Sequence, residues 1–156
     1  MLAYRGMMTM VGTEELDGLP LIDVGRLHYH YTAFVGTSGT DLAAAWGEER
    51  NRAETKPGGV AVVVGAGGPM GQMHMQRAME QIDGPGTIIG IDLDDERLDK
   101  ARVMLEDLAK EKGRKFILHN PGDDPNATRE LLDVETNGQG ADDVIVSVPV
   151  LSLIHI

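Results

Sequence analysis

A glycine-rich segment, Gly65-Ala66-Gly67-Gly68-Pro69-Met70-Gly71, lies between a run of β-branched residues and a helix-like pattern. Glycines at such a turn let the backbone come close to a ligand, and the first amide groups of the following helix have no partner within that helix. These amides and the helix dipole favour a negatively charged group. The segment therefore predicts a site for the pyrophosphate of a dinucleotide.

The segment fits the dinucleotide pattern G-x-G-x-x-G in an altered form. Read forward from Gly65, the pattern needs glycine where Met70 stands. Read backward from Gly71, the first two glycines fall on Ala66 and Gly68, with one extra glycine before the helix. A glycine pattern alone has low specificity. The same residues are also compatible with a tight β–α corner that binds no ligand.

An acidic residue follows the turn at the spacing typical of dinucleotide sites. Asp92 ends the next β-branched run, 21 residues after Gly71, close to the ~20-residue spacing at which an acid binds the adenosine ribose. Its carboxylate can accept a hydrogen bond from a 2′-hydroxyl and repels a 2′-phosphate, which favours NAD over NADP. Arg97 lies near enough to leave NADP open. Asp92 is also placed to cap the next helix, as are Asp94 and Asp95.

The surrounding elements predict a parallel α/β sheet. We expect strands at Val60–Val64, Thr87–Ile91, 116–118 and 144–146, and helices at 69–82, 95–112 and 124–132. The first strand has no polar alternation, which is typical of a strand buried on both faces. Strands and helices that alternate over short connections imply right-handed parallel crossovers. We therefore predict a Rossmann-like parallel sheet with helices on both faces, and we expect that sheet to be incomplete.

Three segments divide the chain. Residues 58–150 form the expected dinucleotide-binding domain, and residues 1–57 form a segment of uncertain packing that could end a preceding lobe. In this segment we predict strands at Met7–Val11 and 31–35 and a helix at 41–53. Residues 151–156 match the translated end of a transposase-based sequencing adapter, so we expect a non-native tail.

Other residues in the chain fit structural roles. His28 and His30 would share one face of a strand, and we interpret them as structural histidines rather than metal ligands. The methionines are interpreted as adaptable core residues; they include Met7, Met8, Met10, Met70, Met73, Met75 and Met79.

Composition narrows the function classes. The 156 residues carry a net charge of -11, which is unfavourable for binding nucleic acid or an anionic membrane. The absence of cysteine excludes disulfides, iron–sulfur clusters and a thiol nucleophile from this sequence. No stretch approaches the ~20 apolar residues that cross a bilayer. We therefore expect a cytoplasmic protein.

Three segments of the second half resemble a known family. Residues 59–71, residues 88–101 and residues 138–146 are similar to the cofactor-binding lobe of medium-chain, zinc-type alcohol and polyol dehydrogenases. The turn and the residues after it look most like the branch of sorbose-1-phosphate reductases. The resemblance covers residues 58–149.

The resemblance implies a role for each candidate residue. Gly65 to Gly71 would hold the pyrophosphate and Asp92 the adenosine ribose. Arg97 is a further cofactor-binding candidate because it lies near Asp92 in sequence. Ser147, Val148 and Pro149 would approach the nicotinamide. The implied enzyme is an NAD-dependent oxidoreductase that acts on a polyol or a sugar phosphate and can form a homo-oligomer.

Catalytic residues cannot be assigned from the sequence. Family members hold catalytic zinc with Cys, His and Glu from a separate lobe, and this chain has no cysteine. We therefore expect a fragment that is inactive alone, with zinc only in the missing lobe. Two alternatives stay open, a nucleotide-binding regulatory module and a methyltransferase-like domain, although the pattern at 68–71 argues against the second.

Overall fold

The computed structural model describes residues 2–14, 24–47, 54–124 and 126–148. By its internal contacts the chain divides into two compact units, Met1–Ala53 and Glu54–Ile156, called the first unit and the second unit below. Each has its own sheet.

The first unit contains a two-stranded parallel sheet. Its elements are β1 (Met7–Val11), α1 (Val24–Tyr29), β2 (Ala33–Thr37) and a 3₁₀ helix (Leu42–Trp46). The first strand is where the sequence predicts it. The second begins two residues later than predicted, after Tyr31, whose φ of 52° is left-handed rather than extended.

Three expectations for the first unit are wrong. The helix predicted at 41–53 is a short 3₁₀ helix that ends where Gly47 becomes extended; residues 48–53 lie outside the described residues. His28 belongs to α1, so the argument that it shares a strand face with His30 fails. Met7 and Met8 of β1 are exposed rather than part of a core.

The second unit is a four-stranded parallel sheet in the order β5-β4-β3-β6. Its strands are β3 (Val60–Val64), β4 (Thr87–Ile91), β5 (Lys115–His119) and β6 (Asp143–Val146). Its helices are α2 (Pro69–Glu80), α3 (Asp95–Glu111) and α4 (Ala127–Thr136). These elements confirm the predicted alternation and the Rossmann-like sheet.

The ends of the helices differ from the prediction by up to four residues, the largest difference being the end of α4 at Thr136 rather than at 132. Helix α2 stops at Glu80 because Gln81 leaves the helical conformation, with ψ of 129°. Helix α4 begins at Ala127 after Asn126, so the predicted start at the Asp124-Pro125 pair is too early. Pro125 itself lies outside the described residues. Asp94 caps α3, as predicted.

Helices cover both faces of the second sheet. On one face α2 and α3 pack against the strands, with Met75, Met79, Leu98 and Leu105 buried beside Val63 and Ile88. On the other face Leu131 and Leu132 of α4 pack beside Val62 and Ile89. The buried Met75 and Met79 confirm the core interpretation for these methionines, whereas Met70 and Met73 are exposed.

The connections change direction between β3 and β6. From β3 the chain builds outward through β4 and β5, and then crosses to the other side of β3 to form β6. In open parallel sheets, ligands bind beyond the carboxyl ends of the strands at such a switch point. The glycine-rich turn follows β3 at this position. Among the described residues, no helix has the length and apolar character needed to cross a membrane.

Candidate functional site

The backbone of the glycine-rich turn requires glycine at two positions, Gly65 and Gly71. Gly65 has a φ of 84°, a left-handed conformation that glycine adopts without steric cost. A Cβ atom on Gly71 would lie 2.2 Å from the carbonyl oxygen of Gly65, so α2 packs directly on the turn. Gly65 and Gly71 are the first and last residues of the seven-residue segment. Ala66, within the segment, is buried.

The amides of the turn divide into two groups. Those of Gly65 and Ala66 donate to the carbonyl oxygen of Ile91, at 2.8 and 3.0 Å. The amide of Gly67 donates to Oδ2 of Asp92 at 2.9 Å, and that of Gly68 to the carbonyl oxygen of Gly65 at 3.2 Å. These four amides therefore hold the turn together.

The amides at the start of α2 have a different status. Pro69 has no N–H group, and the first helical hydrogen bond runs from the amide of Gln72 to the carbonyl oxygen of Gly68, at 3.0 Å. Within the described part of the chain, the amides of Met70 and Gly71 have no acceptor. They are the donors available to an anion, so such a site would centre on these two residues rather than on the whole turn.

Asp92 joins the end of β4 to the turn. Its Oδ2 accepts the amide hydrogen of Gly67, and its Oδ1 accepts that of Asp94 at 3.1 Å. A carboxylate has about four lone-pair positions, so two remain for further donors such as a pair of hydroxyl groups. The capping alternative for Asp92 is not the arrangement found, because Asp94 accepts the Arg97 amide at the start of α3.

Arg97 lies beside the same glycine. A Cβ atom on Gly67 would be 2.4 Å from Cβ of Arg97 and 3.0 Å from Oδ2 of Asp92. The Arg97 side chain is 59% exposed, and its Nε is 3.2 Å from Oδ2 of Asp94. The turn, the acid at the end of β4 and the start of α3 therefore meet around Gly67.

The end of β6 approaches the turn from the other side. The amide of Ser147 donates to the carbonyl oxygen of Val64 at 2.8 Å. Cγ1 of Val148 would be 2.7 Å from a Cβ atom on Gly65. The structure thus brings the described candidate residues to one edge of the sheet. Pro149, the last of the predicted site residues, lies outside the described residues.

Two residues at this edge were missed by the sequence analysis. The carbonyl oxygen of His119 accepts the amide of Asp92 at 3.2 Å. The side-chain amide of Asn120 donates to the carbonyl oxygen of Leu93 at 3.2 Å and to Oδ1 of Asp95 at 2.8 Å. They are the first and second residues after the strand predicted at 116–118. Because the carboxyl ends of parallel strands share one edge, this position could have identified them.

A cavity of about 350 Å³ lies elsewhere, at the amino-terminal edge of the second sheet. Its lining includes Lys56, Glu135, Asn137 and Asp142, none of which is a candidate site residue. Lys56 pairs with Asp142 at 2.6 Å, and Glu135 pairs with Lys115. These contacts are structural, and we place the candidate site at the carboxyl-terminal edge because the free amides and the positioned carboxylate are there.

Two comparisons with known proteins find no match for this chain. No protein-family model matches the chain, and no curated protein matches it. In the part of the chain that the structure describes, no three His, Asp or Glu side chains form a group that could hold a metal ion. The geometry of the carboxyl-terminal edge of the second sheet is therefore the basis for proposing which ligand binds there.

Proposed function

We propose that the second unit binds NAD and is the cofactor-binding part of an oxidoreductase. The observation that carries this proposal is the hydrogen bond between Gly67 and Asp92, because it couples the glycine-rich turn to an acid at the next strand end. A pyrophosphate beside the turn and a ribose beside the acid are adjacent parts of one dinucleotide.

The start of α2 supports the pyrophosphate position. The Met70 and Gly71 amides have no acceptor among the described residues and lie at the positive end of the helix dipole. The nearest atom to a Cβ on Gly68 would be the carbonyl oxygen of Gly65, at 3.4 Å. The backbone at Gly68 is therefore not crowded by its neighbours. Both features suit a doubly charged diphosphate.

The Asp92 carboxylate supports NAD rather than NADP. Its two oxygens are fixed by backbone amides, and each retains a lone pair for a ribose hydroxyl. A 2′-phosphate would face this fixed negative charge, and a second acid, Asp94, follows two residues later in the chain. NAD, when bound, supplies a nicotinamide ring that gains or loses a hydride.

The substrate class rests on the family resemblance. We propose a polyol or a sugar-phosphate alcohol, because residues 59–71, 88–101 and 138–146 resemble the dehydrogenases that act on such compounds. The catalytic zinc of that family would need ligands that the described residues do not offer, so no step is assigned to zinc here.

Titration of the purified chain with NAD⁺ and NADH by calorimetry tests the binding proposal. Asp92→Asn should weaken binding by about 10- to 100-fold, since charge-assisted hydrogen bonds contribute about 1.5–3 kcal/mol. Asp99→Asn is the matched control, because Asp99 is an exposed acid on α3. The affinity of this variant for NAD⁺ and NADH should match that of the unmodified chain. An unmodified chain that binds neither form refutes the proposal.

The same titration separates the alternative of a methyltransferase-like domain. An S-adenosyl ligand would use the ribose contact with Asp92 but has no phosphate for the amides of Met70 and Gly71. Tighter binding of S-adenosylmethionine than of NADH would therefore favour that alternative. Tighter binding of AMP than of NADH would favour a regulatory nucleotide module.

A further inference from the structure

Two side chains of opposite charge leave the backbone at the proposed ribose position. A Cβ atom on Gly67 would lie 2.4 Å from Cβ of Arg97 and 3.0 Å from Oδ2 of Asp92. The Arg97 side chain therefore begins next to the proposed ribose-binding carboxylate. An arginine that follows this acid closely in the chain is a side chain that proteins use to bind a ribose 2′-phosphate.

Asp94 restrains that guanidinium. Its Oδ1 accepts the backbone amide of Arg97 at 3.1 Å, and its Oδ2 lies 3.2 Å from Nε of the same residue. One carboxylate therefore caps α3 and pairs with the Arg97 side chain. Among the described residues, the terminal amino groups of Arg97 have no acceptor.

The other nearby acids have different partners. Oδ1 of Asp95 accepts the side-chain amide of Asn120, and Oε1 of Glu96 is 2.6 Å from Nζ of Lys100. Asp94, the N-cap of α3, is thus the acid whose carboxylate pairs with the Arg97 side chain.

We propose that Asp94 is a positioning residue that strengthens the preference for NAD by holding Arg97 away from a ribose 2′-phosphate. This proposal rests on the proposed function, because it concerns the same site. Asp92 repels the phosphate directly, whereas Asp94 acts through Arg97. Loss of the Asp94 charge releases the guanidinium of a side chain whose Cβ lies next to the proposed ribose position.

The test is the ratio of NADP⁺ to NAD⁺ affinity, measured by calorimetry at low ionic strength, where exposed charges are least screened. Asp94→Asn removes the charge and keeps a good helix cap, and Asp94→Ser does the same with a second side chain. Asp95→Asn removes a neighbouring charge without touching the Arg97 pair. Arg97→Gln, alone and combined with Asp94→Asn, shows whether the effect needs the guanidinium.

We expect both Asp94 variants to shift the ratio about 3- to 5-fold toward NADP⁺, the upper range for an exposed ion pair. Asp95→Asn should shift it less than about 2-fold, and Arg97→Gln should abolish the effect of Asp94→Asn. An equal shift in Asp95→Asn, or a shift that survives Arg97→Gln, overturns the proposal.

Failure of this inference is distinguishable from failure of the proposed function. A chain that binds NAD⁺ while the Asp94 variants leave the ratio unchanged refutes the role of Asp94 alone. A chain that binds neither dinucleotide refutes the proposed function and removes the basis for this role.

Discussion

The two units share one local motif, a pair of parallel strands, and differ in how deeply the strands of that pair are buried. Both contain a parallel strand pair connected through a helix, β1 with β2 in the first unit and β3 with β4 in the second. Met7 of β1 is 46% exposed, whereas Val63 of β3 has no exposed surface. Parallel strands are normally covered on both faces, and β3 meets that condition.

The difference shows that a strand signal does not determine burial. The sequence predicts β1 and β3 with equal accuracy, because both are short apolar runs bounded by turns. Burial depends on the helices that follow. In the second unit α2 and α3 lie on one face and α4 on the other, so each strand of the sheet contributes to a packed core.

A pair of methionine substitutions gives the largest expected difference between the units. Met75→Ala should destabilise the second unit by about 2–5 kcal/mol, since Met75 has no exposed surface and its removal leaves a cavity. Met7→Ala should change stability by less than about 0.5 kcal/mol. Equal losses for the two variants would contradict the comparison.

The units can be followed separately during denaturation by guanidinium. The only tryptophan, Trp46, and all three tyrosines belong to the first unit, so fluorescence reports on that unit. The three longest described helices, α2, α3 and α4, belong to the second unit, so far-ultraviolet circular dichroism reports mainly on it.

Glycine substitutions give the next largest difference. Gly71→Ala should destabilise the second unit by about 1–3 kcal/mol and abolish binding of NADH, because the added Cβ would lie 2.2 Å from a backbone oxygen. Gly12→Ala in the first unit should be neutral or slightly stabilising, because nothing lies within 4 Å of its Cβ position. Denaturation and NADH titration measure both effects; a stable Gly71→Ala that binds NADH would show that the turn adapts.

The smallest expected difference concerns the two aspartate caps. Asp94→Ala should cost the second unit about 1 kcal/mol, as is typical for loss of a cap on a full helix. Asp41 caps the 3₁₀ helix through the amide of Ala43, at 2.9 Å, and Asp41→Ala should cost less than about 0.5 kcal/mol because that helix is short and largely exposed. Thermal unfolding of the two variants makes the comparison, and a larger loss for Asp41→Ala would reverse it.

Much of the second unit follows from the sequence. The strands Val60–Val64 and Thr87–Ile91 are found where the apolar runs predict them, and Asp94 caps α3 as its position indicates. The first unit is less predictable because its helices are short. The 3₁₀ helix at Leu42–Trp46 and the left-handed Tyr31 depend on local backbone choices that a periodic pattern does not contain.

At the candidate site, spacing along the chain identifies Asp92 as a partner of the turn, but not the atoms involved. The sequence left open whether Asp92 caps the next helix, and it left open which amides of the turn are available. The structure assigns the cap to Asp94 and leaves the amides of Met70 and Gly71 without acceptors among the described residues. Such details depend on distances between segments that are far apart in sequence.

Residue type and order alone determined the alternation of strands and helices and the position of the glycine-rich turn, because these follow from local sterics and from periodic burial. Only the tertiary structure decided that Gly67, Asp92 and Arg97 meet at one point. That meeting requires β3 and β4 to pair in register and α3 to pack beside the turn, and it is fixed by close packing of the whole second unit.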